Sequence, residues 1–210
     1  MTGFFLVLEG PEGAGKSTLT KGLAARLRAA GLDPVVVREP GGTPAAEALR
    51  AELLHATRSW TPEAELLYVV TARADLVAKV IRPALEAGHV VISDRYDLST
   101  RAYQIGGRGL PAAQVEWVNS AATGGLVPDL TLVLDISPET GRARQVDAGK
   151  RQDRLDREAA DFHQRVAAVY REAIGPGIVH LDADQGVAAV GEAAGLALGA
   201  ARPDLFGAIG

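Results

Sequence analysis

An apolar run, Phe4 to Leu8, passes directly into GPEGAGKS, Gly10 to Ser17, and an amphipathic helix follows from near Thr18 with Leu19, Leu23 and Leu27 on one face. Strand, glycine-rich loop and helix in that order constrain the fold more than any other feature of the chain. They place a phosphate group against a helix N-terminus, where backbone N–H groups and the helix dipole both favour an anion. The candidate nucleotide loop is Gly10, Pro11, Glu12, Gly13, Ala14, Gly15, Lys16, Ser17 and Thr18. In a loop of this pattern the lysine reaches the β- and γ-phosphates and the serine hydroxyl ligates Mg²⁺. A nucleoside triphosphate site is the expectation; a plain glycine-rich turn capping a helix is the competing reading.

The remainder of the chain suits such a site. It has 210 residues, 47% hydrophobic and 23% charged, enough for one soluble α/β domain over 1–210 with a substantial core. A net charge of −4 argues against a broad nucleic-acid or membrane footprint, so no nucleic-acid or membrane partner is expected. Without cysteine there is no disulfide, thiolate catalysis or Cys-based zinc site, and His55, His89, His163 and His180 show no ligand spacing. Any metal is therefore expected to be held by oxygen. No basic segment followed by an apolar stretch opens the chain, and no apolar run approaches the length of a membrane span, so the expected compartment is the cytoplasm.

Short β-rich runs recur at 4–9, 34–39, 89–94, 130–136 and 178–183, separated by helical stretches. That alternation predicts a five-stranded parallel sheet with helices on both faces. The runs are apolar throughout and carry charge only at their C-terminal ends, at Glu9, Arg38, Glu39, Asp94 and Asp135, as buried parallel strands do. Ligands of open α/β sheets bind beyond those ends, so these charges are expected to converge on the phosphate loop.

Three further segments carry chemistry. REPGGT, Arg38 to Thr43, has a proline and two glycines that shape a tight turn at the end of the second strand. DRY, Asp94 to Tyr96, ends the third strand, where an acid can hold Mg²⁺ through water and an arginine can clamp a phosphate. From Arg142 to Arg157 the chain is densely charged, with Arg151, Arg154 and Arg157 at every third residue. As a helix these arginines would share one side, the arrangement of a lid that brings guanidinium groups to a transferring phosphoryl group; a solvated helix face is the other reading.

Taken together, EGPEGAGKS, REPGGT, Arg50 in EALRAELL, Arg73 in YVVTAR, DRYDLSTRAYQ, GGRG, PDLTLVLDI and DRLDRE resemble the bacterial thymidylate kinases, of the nucleoside monophosphate kinase group. The resemblance runs over nearly the whole chain. It implies the P-loop kinase fold with a mobile lid at about 142–158, ATP as donor with Mg²⁺, dTMP as acceptor and dTDP as product, and a homodimer. By the same resemblance Arg50 and Arg95 clamp the acceptor phosphate, Glu12 accepts from the 3′-hydroxyl, Arg73 donates to the base carbonyl, and Ser99, Thr100 and Gln104 line the base and sugar beside Glu39 and Pro40. Tyr103 would exclude a ribose 2′-hydroxyl. Asp94 and Ser17 would be the Mg²⁺-proximal groups, and Lys16, Arg95, Asp94, Arg151 and Arg154 the catalytic set. Bland alternatives stand beside several of these: surface charge for Arg50, core packing for Tyr103, helix capping for Ser99 and Thr100.

One position departs from the pattern. These kinases usually carry a base-stacking phenylalanine where this chain has Val69, and the neighbouring Tyr68 is turned by about 100° on a helix. A kinase for another nucleoside monophosphate, or a non-catalytic nucleotide switch, therefore remains open at the level of sequence. Ala64 to Ile81 is apolar on more than one face, as suits a helix shared between a sheet and a second subunit; Arg202 to Gly210 carries no readable pattern.

Overall fold

The computed structural model describes residues 3–55, 57–149 and 152–207. All five apolar runs are strands: β1 (Phe4–Glu9), β2 (Val35–Arg38), β3 (Val90–Asp94), β4 (Leu130–Asp135) and β5 (Ile178–Asp182). They pair in the order β2-β3-β1-β4-β5, each neighbour parallel. Alternation along β1 shows why every position is apolar. Phe4, Leu6 and Leu8 enter one core with Leu19, Leu23 and Leu27 of α1 (Lys16–Ala29) and Val190, Ala194 and Leu198 of α9 (Val187–Ala201). Phe5 and Val7 enter another with Leu76, Val77, Ile81 and Tyr96. The sheet is thus covered on both faces, and the chain has the α/β architecture of the P-loop kinases.

Register levels the C-terminal ends: Asp94 of β3 stands opposite both Leu8 of β1 and Arg38 of β2. Helix α1 begins at Lys16, earlier than the expected start near Thr18, and ends before Gly31, whose φ of 83° no helical residue adopts. Beyond β2, Thr43 caps α2 (Pro44–Leu54) by accepting from the Ala46 N–H, and Thr61 likewise caps α3 (Pro62–Leu76). The long apolar stretch then runs on as a π-helical segment, Val77–Ile81, into α4 (Arg82–Glu86). After β3 come α5 (Asp97–Thr100), a second π-helical segment, Arg101–Gly107, and α6 (Ala112–Thr123). Tyr103 and Leu98 pack there against Phe162, Val166 and Tyr170 of α8 (Ala160–Arg171).

The densely charged stretch differs from its expectation. Helix α7 (Pro138–Asp147) covers its first part, but 152–159 is irregular with a turn at 154–157, so no helical arginine stripe forms there. The cause is local: the Asp156 N–H donates to the Asp153 carboxylate and the Asp153 N–H to that of Asp156, at 3.0 and 3.1 Å. Aspartates that bond nearby backbone in this way compete with helix formation. Arg151 lies outside the described residues.

Near the C-terminus a short helix, α10 (Pro203–Phe206), returns to the body. Phe206 is fully buried, its ring edge-on to Phe4 at 4.9 Å between centroids. Among the described residues no helix is long and apolar enough to cross a membrane.

The docked tail gives the first testable outcome. Phe206→Ala removes a buried aromatic from the core beneath β1 and should destabilise the protein by about 3–5 kcal/mol. Urea denaturation measures this; an unchanged midpoint would mean that α10 is dispensable to the core.

Candidate active site

Gly13 and Gly15 make the loop possible. Both have positive φ, 78° and 95°, and a Cβ on Gly13 would lie 2.1 Å from the carbonyl oxygen of Gly141 in α7. Gly15 occupies the N-cap of α1 and offers no side-chain acceptor, so the first N–H groups of that helix lack a side-chain cap. Lys16 folds back over the loop, its Nζ donating at 2.8 Å to the carbonyls of both Gly10 and Pro11. Burial, with Arg95 nearby, brings its ammonium pKa down to about 8.

The loop opens on a cleft of about 450 Å³. Its walls include Glu12, Gly13, Gly15, Lys16, Ser17 and Thr18 together with every expected acceptor-site residue: Glu39, Pro40, Arg50, Val69, Arg73, Arg95, Ser99, Thr100, Tyr103 and Gln104. Gly10, Pro11 and Ala14 support the loop from behind without lining the cleft. Ser17 Oγ donates to Asp94 Oδ2 at 2.7 Å, joining the start of α1 to the end of β3. Among the described residues no group of three or more His, Cys, Asp or Glu side chains could hold a metal. A Mg²⁺ ion needs few protein ligands, since it keeps waters and takes phosphate oxygens, and the hydroxyl and carboxylate of Ser17 and Asp94 fit that donor set.

Arg95 stands at the centre. It is the one non-glycine described residue with positive φ, 80°, a backbone conformation retained only where the surroundings over-determine it. Its guanidinium donates to Glu12 at 2.5 Å, Tyr170 Oη at 2.9 Å, Ser99 Oγ at 3.1 Å and Tyr103 Oη at 3.3 Å. Behind it Glu9 is fully buried and accepts from the Tyr96 and Ser99 N–H groups and from the hydroxyls of Ser99 and Tyr170. Burial pushes the Glu9 carboxyl above the usual carboxylate range, against the pull of Arg95. Ser99 and Thr100 lie within α5, and Thr100, at the start of the π-helical segment that follows, makes no side-chain capping bond to it. Arg50 donates to the Pro40 carbonyl at 2.8 Å, and burial together with Arg38 and Arg95 works against its charge, a setting that an anion would relieve.

Arg73 is 1% exposed. It donates to Glu39 at 2.6 Å, Thr100 Oγ1 at 2.7 Å, the Tyr96 carbonyl at 2.8 Å and Asn119 Oδ1. Burial raises the Glu39 carboxyl to about 7 in spite of Arg73, and Glu39 Oε1 has no hydrogen-bond partner among the described residues. Val69 lines the cleft, whereas Tyr68 packs on Trp60 at 4.5 Å and takes no part in it. Arg154 turns away from the loop, to the Leu53 carbonyl at 2.9 Å and Glu65 at 2.6 Å. Sequence reasoning missed Glu9's staple, Glu65, Asn119 and Tyr170. The available signal was Glu65 as the one charged residue between Ala64 and Ala72.

The thymidylate kinase family model matches residues 8–194. A thymidylate kinase of Pseudomonas putida (strain GB-1) is 51% identical over 171 residues, 81% of each chain. That of Pseudomonas fluorescens (strain SBW25) is 49% identical over 197 residues, 92% of this chain and 93% of that one. That of Thermomicrobium roseum is 50% identical over 170 residues, 81% and 80% of the two chains. The chain belongs to the thymidylate kinase family.

The depressed Lys16 pKa has a measurable consequence. Bound phosphates favour the charged ammonium, so nucleotide binding at about pH 8.5 should take up protons, seen by calorimetry in buffers of different ionisation enthalpy. Uptake should vanish in Lys16→Met; uptake of the same size in that variant would place the proton elsewhere.

Proposed function

We propose that the chain transfers the γ-phosphoryl group of ATP to the 5′-phosphate of dTMP, giving ADP and dTDP. The observation that carries this reading is the opening of Arg50, Arg73 and Arg95 onto the same cleft as the phosphate loop, in a member of the thymidylate kinase family. A nucleotide switch would have no use for those arginines, and a nucleoside acceptor would lack the phosphate that Arg50 and Arg95 are placed to clamp.

The acceptor is its own nucleophile. A phosphate monoester with a second pKa of about 6 is largely dianionic at neutral pH, so no side chain need deprotonate it. Its oxygen attacks the γ-phosphorus as the bond to the β,γ-bridging oxygen breaks, and ADP leaves. The protein's part is alignment and neutralisation of charge. Lys16 would exchange its two carbonyl partners for β- and γ-phosphate oxygens. Arg95 and Arg50 would hold the acceptor phosphate by rigid guanidinium forks, Glu12 the 3′-hydroxyl, and Arg73, Thr100 and Gln104 the base, with Tyr103 against the sugar. When bound beside Ser17 and Asp94, Mg²⁺ supplies positive charge to the donor phosphates. The segment at about 142–158 would act as the lid, with Arg154 released from Glu65 and Arg151 alongside it, excluding water from the transfer.

A homodimer is proposed with this activity. Helices α3 and α6 pack together, and each presents a large exposed apolar side chain, Leu67 and Trp117. Light scattering should give a dimer mass, and Trp117→Glu a monomer; a monomeric wild-type protein contradicts the assembly.

The function is tested by ADP formation with Mg²⁺–ATP and dTMP, dUMP, UMP, the other monophosphates, thymidine or no acceptor. Saturable turnover confined to dTMP is expected, and acceptor-independent hydrolysis would overturn the reading. Lys16→Met should abolish transfer while dTMP still binds. Restoring a stacking ring should also help: base–aromatic stacking is worth roughly 1–3 kcal/mol, so Val69→Phe should lower the KM for dTMP about tenfold. An unchanged or higher KM would mean that Val69 does not face the base.

A further inference from the structure

Glu65 touches neither substrate in the mechanism above, where it only releases Arg154, yet it is 1% exposed on α3 and lines the acceptor end of the cleft. Two arginines hold it. Arg108 Nε donates to Oε1 at 3.0 Å and Nη2 to Oε2 at 2.8 Å, and Arg154 Nη2 donates to Oε2 at 2.6 Å. Burial pushes the Glu65 carboxyl up, but the hydrogen bonds from Arg108 and Arg154 together outweigh burial and hold it below the usual range. Near neutral pH it is a carboxylate and can only accept.

The remaining contact of Glu65 is with Gln104, whose Nε2 donates to Oε1 at 2.8 Å. A glutamine amide has a donor end and an acceptor end, and a carboxylate without a proton can face only the donor end. Glu65 therefore fixes which way round the Gln104 amide stands. The amide oxygen makes no hydrogen bond among the described residues, and Gln104 lines the cleft. Beside it, Thr100 Oγ1 accepts from Arg73, which leaves the hydroxyl hydrogen of Thr100 to donate.

We propose that Glu65 is a specificity-positioning residue: by taking the donor end of Gln104 it turns the amide oxygen toward the acceptor base. The wall then offers donors from Arg73 and Thr100 next to an acceptor from Gln104. That order complements the 4-oxo and N3–H groups of a thymine or uracil edge. It opposes the 4-amino group and bare N3 of cytosine, where donor would meet donor and acceptor would meet acceptor. The inference rests on the reading that a pyrimidine monophosphate is the acceptor and that its base meets this wall.

The test is the ratio of kcat/KM for dTMP to that for dCMP in the wild-type protein, Glu65→Gln, Gln104→Ala and the double variant. With a neutral amide at 65, Gln104 can stand either way round. The ratio should fall on the order of tenfold or more, through a higher KM for dTMP and a lower one for dCMP. General loosening of the site would weaken both acceptors alike and leave the ratio unchanged, and that result overturns the assignment. In the Gln104→Ala background Glu65→Gln should not change the ratio further; an equal change with and without Gln104 also overturns it. If Glu65→Gln does not fold, the wild-type protein answers by NMR, the Gln104 side-chain amide being identified by its loss in Gln104→Ala. Its hydrogens should exchange slowly both with and without dTMP. Protection that appears only on adding dTMP would mean that the amide faces the base through its nitrogen. Absence of wild-type dTMP turnover would overturn the proposed function together with this inference, whereas dTMP turnover with an unchanged ratio in Glu65→Gln overturns this inference alone.

Discussion

A glycine-rich loop that leaves the first N–H groups of α1 without a side-chain cap governs the C-terminal edge of the sheet. β1 is buried on both faces and ends where the backbone must turn through left-handed glycines, so α1 starts without a side-chain acceptor over its first N–H groups. Lys16 is drawn under the same turn by two carbonyls. An anion is the natural partner of such a construction. The rest of the cleft is placed relative to it by strand register, since Asp94, Arg95, Arg38 and Glu39 all follow from β2 and β3 ending level with β1.

Glu9 behind the cationic cleft and Glu39 and Glu65 in its walls are buried carboxylates, each with a different task. Glu9 ties the start of α5 and Tyr170 to the end of β1. Glu39, just after β2, pairs with Arg73 of α3. Glu65 gathers Arg108 and Arg154 from segments far apart in sequence. Breaking a buried ion pair by removing one partner costs about 3–5 kcal/mol, because the charge left behind is uncompensated. Glu39 and Glu65 hold Arg73, Arg108 and Arg154 in fixed directions, and Arg95 keeps an unfavourable left-handed backbone because Glu12, Ser99, Tyr103 and Tyr170 fix its side chain.

Much of this was legible in the sequence, and the reason is that local rules and tertiary structure agree there. Apolar runs with charged ends became strands, with Arg38, Glu39 and Asp94 on the cleft but Glu9 buried behind it and Asp135 paired with His180, and Leu19, Leu23 and Leu27 became the buried face of α1. The acceptor-site residues read from the family resemblance also line one cleft, although the roles assigned to them await experiment. What escaped depends on partners distant in sequence. Glu65 binds residues 39, 43 and 89 positions away, which no periodicity encodes. The arginine repeat at 151–157 looked helical by spacing alone, but two aspartates bonding each other's backbone N–H groups made a turn instead. Phe206 sits in a segment without pattern, and only the place left for it beside Phe4 accounts for its burial.

In the proposed function one cleft joins an ATP-binding loop to a thymidylate-binding wall. A single competition measures it most directly: γ-labelled ATP is mixed with equal concentrations of dTMP, dUMP, dCMP and the purine monophosphates, and the labelled products are separated. The label should accumulate in the β-phosphate of dTDP. Label spread evenly over several diphosphates, or released as inorganic phosphate, would contradict it.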